Sequence, residues 1–259
     1  MKWCRFATEG GAALGQVRGD EVIRFEGTML GEHRETTDVR PLSAVRLLPP
    51  VIPPTFYAAG VNYKAHILEA QRHGSPSAKI PERAEIGYRA NSALIGHREA
   101  IVKPADLEGR FEAEPELVAV IGRDLRRCSR EEAAAGIFGW TIGNDVSARA
   151  WQYADRTFWR SKNSDTFKPM GPWIETDIDP MKSLTRVYRN GQLATEFATG
   201  DMIFDVLDYI VATCRYITLR PGDVLWMGSD GNVAMAVGDT ISIEITGLGV
   251  LENPVVLGD

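Results

Sequence analysis

The sequence predicts a mixed α+β fold dominated by β-structure, and two observations carry that expectation. From Lys2 to Gly27, and again from Pro221 to Val256, short apolar or alternating runs break at glycines, as strands joined by tight turns do. Helical spacing and capping signals are confined to a few stretches, enough for three or four helices. At 259 residues, 44% hydrophobic and 25% charged, the chain can bury a substantial core without disulfides or metals for stability.

Taken in order, "KWCRFA", "ALGQVRG" and "DEVIRFEG" read as three short strands. They are too few for an independent core, so residues 1–48 are expected to form a small β-rich N-terminal domain. "LLPPVIPP", residues 47–54, holds four prolines, which fix φ and remove backbone donors. It reads as an extended connector to a second domain, residues 49–259. "FYAAG" suits a strand ending at Gly60, and Asn62 is placed to cap a helix starting near Tyr63. Residues 71–85 turn polar, as a mobile loop would. "SREEAAAGIFG" carries a capping box in Ser129 and Glu132. "GWTIGNDVSARAWQ" follows as strand and loop, and "KPMGPW" as a rigid turn. Ile203, Val206, Leu207, Ile210, Val211 and Cys214 fall at helical spacing and predict a core-facing stripe. "PGDVLWMGSDG" and "GDTISIEITGLGVLENPVV" return to β-structure.

Composition excludes several functions. A net charge of −6 with no dense Lys/Arg block disfavours nucleic acid or an anionic membrane as partner. No run approaches the roughly 20 apolar residues of a membrane-spanning helix, and the N-terminus lacks a signal-peptide core. Three scattered cysteines, Cys4, Cys128 and Cys214, show neither zinc spacing nor a disulfide framework. A soluble cytoplasmic protein is expected.

The segment "EAEPELVAVIG", residues 112–122, places Glu112, Glu114 and Glu116 two apart, on one face of a strand. Like charges so close require a positive partner. Glu114 and Glu116, joined by Asp145 from "GNDVSAR", make a hard-oxygen set suited to Mg²⁺ or Mn²⁺. Alone, the two glutamates are better explained as a solvated strand face. His66 and Glu69, three apart on a helix, form a pair in which the carboxylate orients the imidazole as a general base for water. Lys162 could neutralise a developing oxyanion or hold a substrate carboxylate.

In combination, "GVNYKAH", "EPELVAVIGRDL", "GWTIGNDVSAR", "KNSDTFKPMGPWI", "RPGDV" and "GLGVLENPV" resemble, in order and spacing, the fumarylacetoacetate hydrolase family over residues 45–256. The resemblance implies a mixed β-sandwich-and-roll catalytic domain, a homodimer and a divalent metal. It implies Glu114, Glu116 and Asp145 as ligands, His66 and Glu69 as the water-activating pair and Lys162 as the active-site lysine. Arg149 and Gln152 match positions lining the substrate pocket, while Glu112 falls outside the pattern as a peripheral residue.

Three departures mark a divergent member. Arg89 stands near a position where relatives carry lysine and is assigned an anion-binding role. Ala150 replaces a carboxylate. "MGSDG" replaces a Thr-Gly-Thr-Pro loop, with Ser229 keeping a hydroxyl for substrate. The expected activity is metal-dependent hydrolysis of a carbon–carbon bond in a 2-oxo or β-diketo carboxylic acid of the acylpyruvate or fumarylpyruvate type. Isomerisation or decarboxylation of a related oxo-acid is the alternative, and a catalytically lapsed binding protein a third reading.

Overall fold

The computed structural model describes residues 1–64, 67–68, 79–152 and 154–259. Their strands form three sheets. The largest has 12 strands and runs, edge to edge, through His33–Pro41, Glu21–Gly27, Gly11–Arg18, Lys2–Thr8, Lys168–Glu175, Ile137–Asn144, Pro115–Ile121, Val224–Trp226, Phe56–Ala59 and Ile86–Tyr88. Leu47–Leu48 and Leu94–Ile95 attach beside this path. A five-stranded sheet joins Gln192–Ala198, Leu184–Arg189, Thr240–Ile245, Gly249–Leu257 and Ile101–Lys103. A small third sheet joins Ser147–Ala148, Phe111–Ala113 and Val233–Ala234.

The strand Pro115–Ile121 is buried at every position, and its alternation sorts side chains between two cores. Leu117, Ala119 and Ile121 join Val187, Ile243 and Leu251 of the five-stranded sheet in the main cluster. Val118 and Val120 point the other way, to Phe56, Met170 and Trp226.

Trp3, Ile23 and Phe25 of the N-terminal strands pack into that second cluster. The N-terminal segment therefore continues the central sheet, with Lys2 opposite Glu175 and Trp3 opposite Ile174. The same strands also hold a small cluster of their own, in which Cys4, Phe6, Val17, Val22 and Leu47 are buried together.

Two of the three helix signals are realised within the described residues. Ser129 and Glu132 close a capping box ahead of the helix Arg130–Ala134. Asp205 and Asp208 do the same for Val206–Cys214, which buries Val206, Tyr209, Ile210, Thr213 and Cys214. "KPMGPW" departs from expectation: it lies in the strand Lys168–Glu175, not in a turn. Pairing with Ile137–Asn144 and Lys2–Thr8 overrides its two prolines, and the ladder is irregular between Trp140 and Ile142, next to Gly171. Asn62 uses its side chain to tie loops together, donating to the Phe204 and Met227 carbonyls and accepting from the Phe204 amide.

The turn at residues 96–99 docks on Gly249–Leu257 through His97, whose Nδ1 accepts the Glu252 amide at 3.1 Å. Burial, reinforced by Arg98, pushes this imidazole down to about 4, against the pull of Glu252. Between about 4 and the ordinary 6.5 the unfolded chain binds more protons than the folded one. Stability should therefore fall as pH drops through that window, by on the order of 2 kcal/mol after solvent screening. In His97→Asn, which keeps an acceptor but cannot be protonated, the acid limb of a urea-unfolding series should flatten. Parallel limbs in the two proteins would rule His97 out as its source.

Candidate active site and metal centre

The carboxylates converge because of strand register. Pro115 lies opposite Asn144, and Glu116 opposite Gly143. Asp145 follows directly, its amide donating to the Glu114 carbonyl at 2.9 Å, while Asn144 Oδ1 accepts the Glu114 amide at 3.0 Å. Gly143 has to be glycine: a Cβ there would meet the Trp226 ring at 2.6 Å. Glu114, Glu116 and Asp145 are all buried and offer oxygens within 4.8 Å of one another.

Lys162 bridges two of them, with Nζ 2.7 Å from Glu114 Oε2 and 2.7 Å from Asp145 Oδ2. It lies on the helix Trp159–Asn163. Asn163 anchors that helix: its Oδ1 accepts the Ala90 amide at 2.7 Å, and its Nδ2 donates to the Phe158 carbonyl at 2.9 Å. The neighbouring Arg89 forks onto Asp145, Nε to Oδ1 at 3.0 Å and the terminal nitrogen to Oδ2 at 2.9 Å. The geometry anticipated for a substrate carboxylate is thus applied to a protein one. Lys168, fully buried, adds a third cation 2.7 Å from Asp145 Oδ1.

Glu112 is not peripheral. It is 3% exposed, and Arg149 Nε reaches it at 2.8 Å while Arg110 holds its other oxygen at 2.5 Å. The chain breaks its strand at Glu114, which separates Phe111–Ala113 from Pro115–Ile121. Glu112 therefore joins the small third sheet and not the acidic triad. Arg149 links the two groups: it also pairs with Glu114 and donates to Gln152 at 2.7 Å.

Charge balance is uneven across the triad. Burial pushes Asp145 up, yet Arg89, Lys162 and Lys168 together hold it well below the usual carboxylate range. Glu116 behaves oppositely: burial, and then the Asp145 charge, raise it to about 7. Among the described residues, the hydrogen bond it accepts is from the Gly228 amide, 2.7 Å to Oε2. Gly228 sits at φ +82°, a left-handed conformation that favours glycine. Burial and the neighbouring negative charge thus leave Glu116 raised, while three cations hold Asp145 down.

A small cleft of about 160 Å³ opens on the group, lined by Arg89, Glu114, Glu116, Asp145, Arg149, Gln152, Lys162 and Ser229 among others. The Ser229 hydroxyl donates to the Gly231 carbonyl at 2.8 Å. His66 and Glu69 lie outside the described residues, as do 71–78 of the expected loop 71–85.

The triad fits a hard divalent ion. Its donors are all carboxylate oxygens, with neither histidine nor cysteine to favour zinc. Three buried carboxylate oxygens within 4.8 Å of one another are close enough that Glu114, Glu116 and Asp145 would together hold one such ion. Glu116, buried with no cation of its own in salt-bridge range among the described residues, is the group such an ion would relieve.

Sequence reading missed Lys168, Ser147 and Gly228. Lys168 lay inside a segment taken as a turn, and strand register is what buries its ammonium. Ser147 donates to Glu114 Oε1 at 3.0 Å and carried no signal beyond its place in "GNDVSAR". Gly228 was visible as the glycine kept within the altered "MGSDG" loop.

Fold and site together define a class. A family model for the C-terminal part of fumarylacetoacetate (FAA) hydrolase matches residues 55–256, and an Rv2993c-like N-terminal model matches residues 1–50. The chain belongs to the FAA hydrolase family, whose members include isomerases, tautomerases, decarboxylases and hydrolases.

Among individual proteins, Rv2993c of Mycobacterium tuberculosis is 36% identical over 267 residues, covering 99% of this chain and 98% of its own. Oxaloacetate tautomerase YisK of Bacillus subtilis is 31% identical over 229 residues, covering 83% of this chain and 74% of its own. Of solved structures, 5-carboxymethyl-2-hydroxymuconate delta-isomerase of Mycobacterium smegmatis superposes with a TM-score of 0.89 at 36% identity, each chain covered in full. Maleylpyruvate hydrolase of Sphingobium sp. SYK-6, in complex with manganese(II) and pyruvate, gives 0.81 at 27% identity, again over 100% of both chains. No helix among the described residues is long and apolar enough to cross a membrane.

Proposed function

We propose that the protein is a divalent-metal-dependent hydrolase that cleaves a carbon–carbon bond in a 2-oxo carboxylic acid of the acylpyruvate type. The observation that carries this reading is the buried triad of Glu114, Glu116 and Asp145 bridged by Lys162. Mg²⁺ or Mn²⁺, held by those three carboxylates, would supply Lewis-acid polarisation of a 2-oxo group.

The protein's own contribution is positional. Lys162 Nζ, held between Glu114 and Asp145, would neutralise negative charge developing on a substrate oxygen, and Arg89 and Lys168 fix Asp145 in place. Arg149, anchored by Glu112, and Ser229 border the cleft where the substrate would lie. In the overall reaction, water adds to the distal carbonyl. The bond from that carbon to the methylene then breaks, and the departing pyruvate enolate takes up a proton. His66 and Glu69 are assigned to the water.

A second reading, tautomerisation or decarboxylation, shares the enolate without requiring water to attack. It is favoured by the names of relatives, an oxaloacetate tautomerase and a muconate isomerase among them. A panel of acylpyruvates, fumarylpyruvate and oxaloacetate with Mg²⁺ or Mn²⁺ separates the outcomes. Hydrolysis yields two acids, tautomerisation a product of unchanged mass, and decarboxylation CO₂. Turnover that survives complete chelation would reject all three.

A further inference from the structure

Outside the cleft of the acidic triad, two thiols separated by 86 positions meet: Cys128 Sγ lies 2.9 Å from Cys214 Sγ. The backbone brings them together. The Cys128 amide donates to Cys214 Sγ at 3.2 Å, and the Arg127 amide donates to the Cys214 carbonyl at 2.8 Å. Arg126 donates to the Cys214 and Arg215 carbonyls at the end of the helix Val206–Cys214, at 3.0 and 2.6 Å. The loop is thereby clamped to the helix terminus, and the sulfurs are held in contact by main-chain bonds on both sides.

The two thiols are not equivalent. Cys214 is fully buried, whereas Cys128 is half-buried and borders an open cleft of about 930 Å³ beside Arg126, Arg127, Arg130 and Arg215. One sulfur can be reached from solvent, and the other waits directly behind it. That is the arrangement of an attacking and a resolving cysteine.

We propose that Cys128 and Cys214 form a reversible disulfide when the protein meets hydrogen peroxide. Cys128, as thiolate, attacks one peroxide oxygen. The O–O bond breaks, one water leaves after protonation, and Cys128 becomes a sulfenic acid. Cys214 then attacks that sulfur: the S–S bond forms, the S–O bond breaks and a second water leaves. The thiols lose two electrons and two protons in all, and one peroxide is reduced to two waters. Burial, and the hydrogen bond with Cys214, push the Cys128 thiol up to about 12, so oxidation should be slow at neutral pH and accelerate as pH rises.

The test is a non-reducing peptide map of the whole protein after hydrogen peroxide, with free thiols alkylated in denaturant. The expected result is one linkage, Cys128 to Cys214, a mass lower by about 2 Da and Cys4 still alkylated. Closing this long loop should raise Tm by about 5–15 °C, reversed by dithiothreitol. In Cys214→Ser the reaction should stop at Cys128 with a gain of about 16 or 32 Da. Oxygen addition to Cys128 in the unmodified chain without a disulfide overturns the proposal. So does full alkylation of all three cysteines after treatment.

Discussion

Replacing Glu116 by glutamine should abolish activity while leaving the metal-free protein as stable as before, or more so. Glu116 is 3% exposed and receives the Gly228 amide, an interaction that a glutamine carbonyl oxygen preserves. Its negative charge is the costly part: burial and Asp145 both oppose it, and among the described residues it has no lysine or arginine salt bridge such as Asp145 and Glu114 have. Removing that charge relieves the fold. It would also remove one of the three anionic ligands proposed for the ion, and a loss of about 10³-fold or more in kcat/KM is expected. Bound at a hundred times its Kd, Mg²⁺ or Mn²⁺ should stabilise the original chain by about 2.7 kcal/mol, a Tm rise of roughly 5–10 °C. Glu116→Gln should show little of that rise. A variant that kept both turnover and the metal-induced shift would remove Glu116 from the site.

Lys162→Met should have the opposite stability signature. Lys162 joins Glu114 to Asp145 in a region where burial already drives its ammonium down to about 8. Taking away one partner of a buried ion pair costs about 3–5 kcal/mol. The lower end is expected here, because Glu114 keeps Arg149 and Asp145 keeps Arg89 and Lys168. Activity should fall by about 10³-fold through loss of the charge facing the developing oxyanion. Lys162 and a divalent ion also compete for the same carboxylate lone pairs. The metal-induced rise in Tm should therefore be larger in Lys162→Met than in the original chain, since the ion replaces a missing cation. Equal rises in the two proteins would show that no such competition exists.

The two variants are informative together. A residue kept only for folding loses stability and activity in step when it is replaced. Glu116 should lose activity with no loss of stability, which is the mark of a group retained for its chemistry.

The sequence by itself determined the β-rich class, the helix capped by Ser129, the apolar stripe of the helix Val206–Cys214 and the membership of the acidic triad. Those features depend on local periodicity and on motifs whose spacing is written along one segment. Glu114, Glu116 and Asp145 could be chosen from the page because two lie two residues apart and the third sits in a separate recognisable stretch. What compensates them was legible only in part, through Lys162; the burial of Lys168 on Asp145 and the fork of Arg89 onto it were not. Lys168, Arg89 and Lys162 come from three segments and meet Asp145 only when the strand Ile137–Asn144 pairs with both Pro115–Ile121 and Lys168–Glu175. The same holds for Glu112, which spacing placed on one face with the triad and a strand break sent to another sheet.

Likewise, only the tertiary structure merged the N-terminal strands with the central sheet and brought Cys128 to Cys214. The physical reason is common to all these cases. Periodicity reports which face of an element is buried, whereas charge pairing in a low-dielectric interior depends on which elements become neighbours. That choice is made by long-range register, which no local stretch of chain encodes.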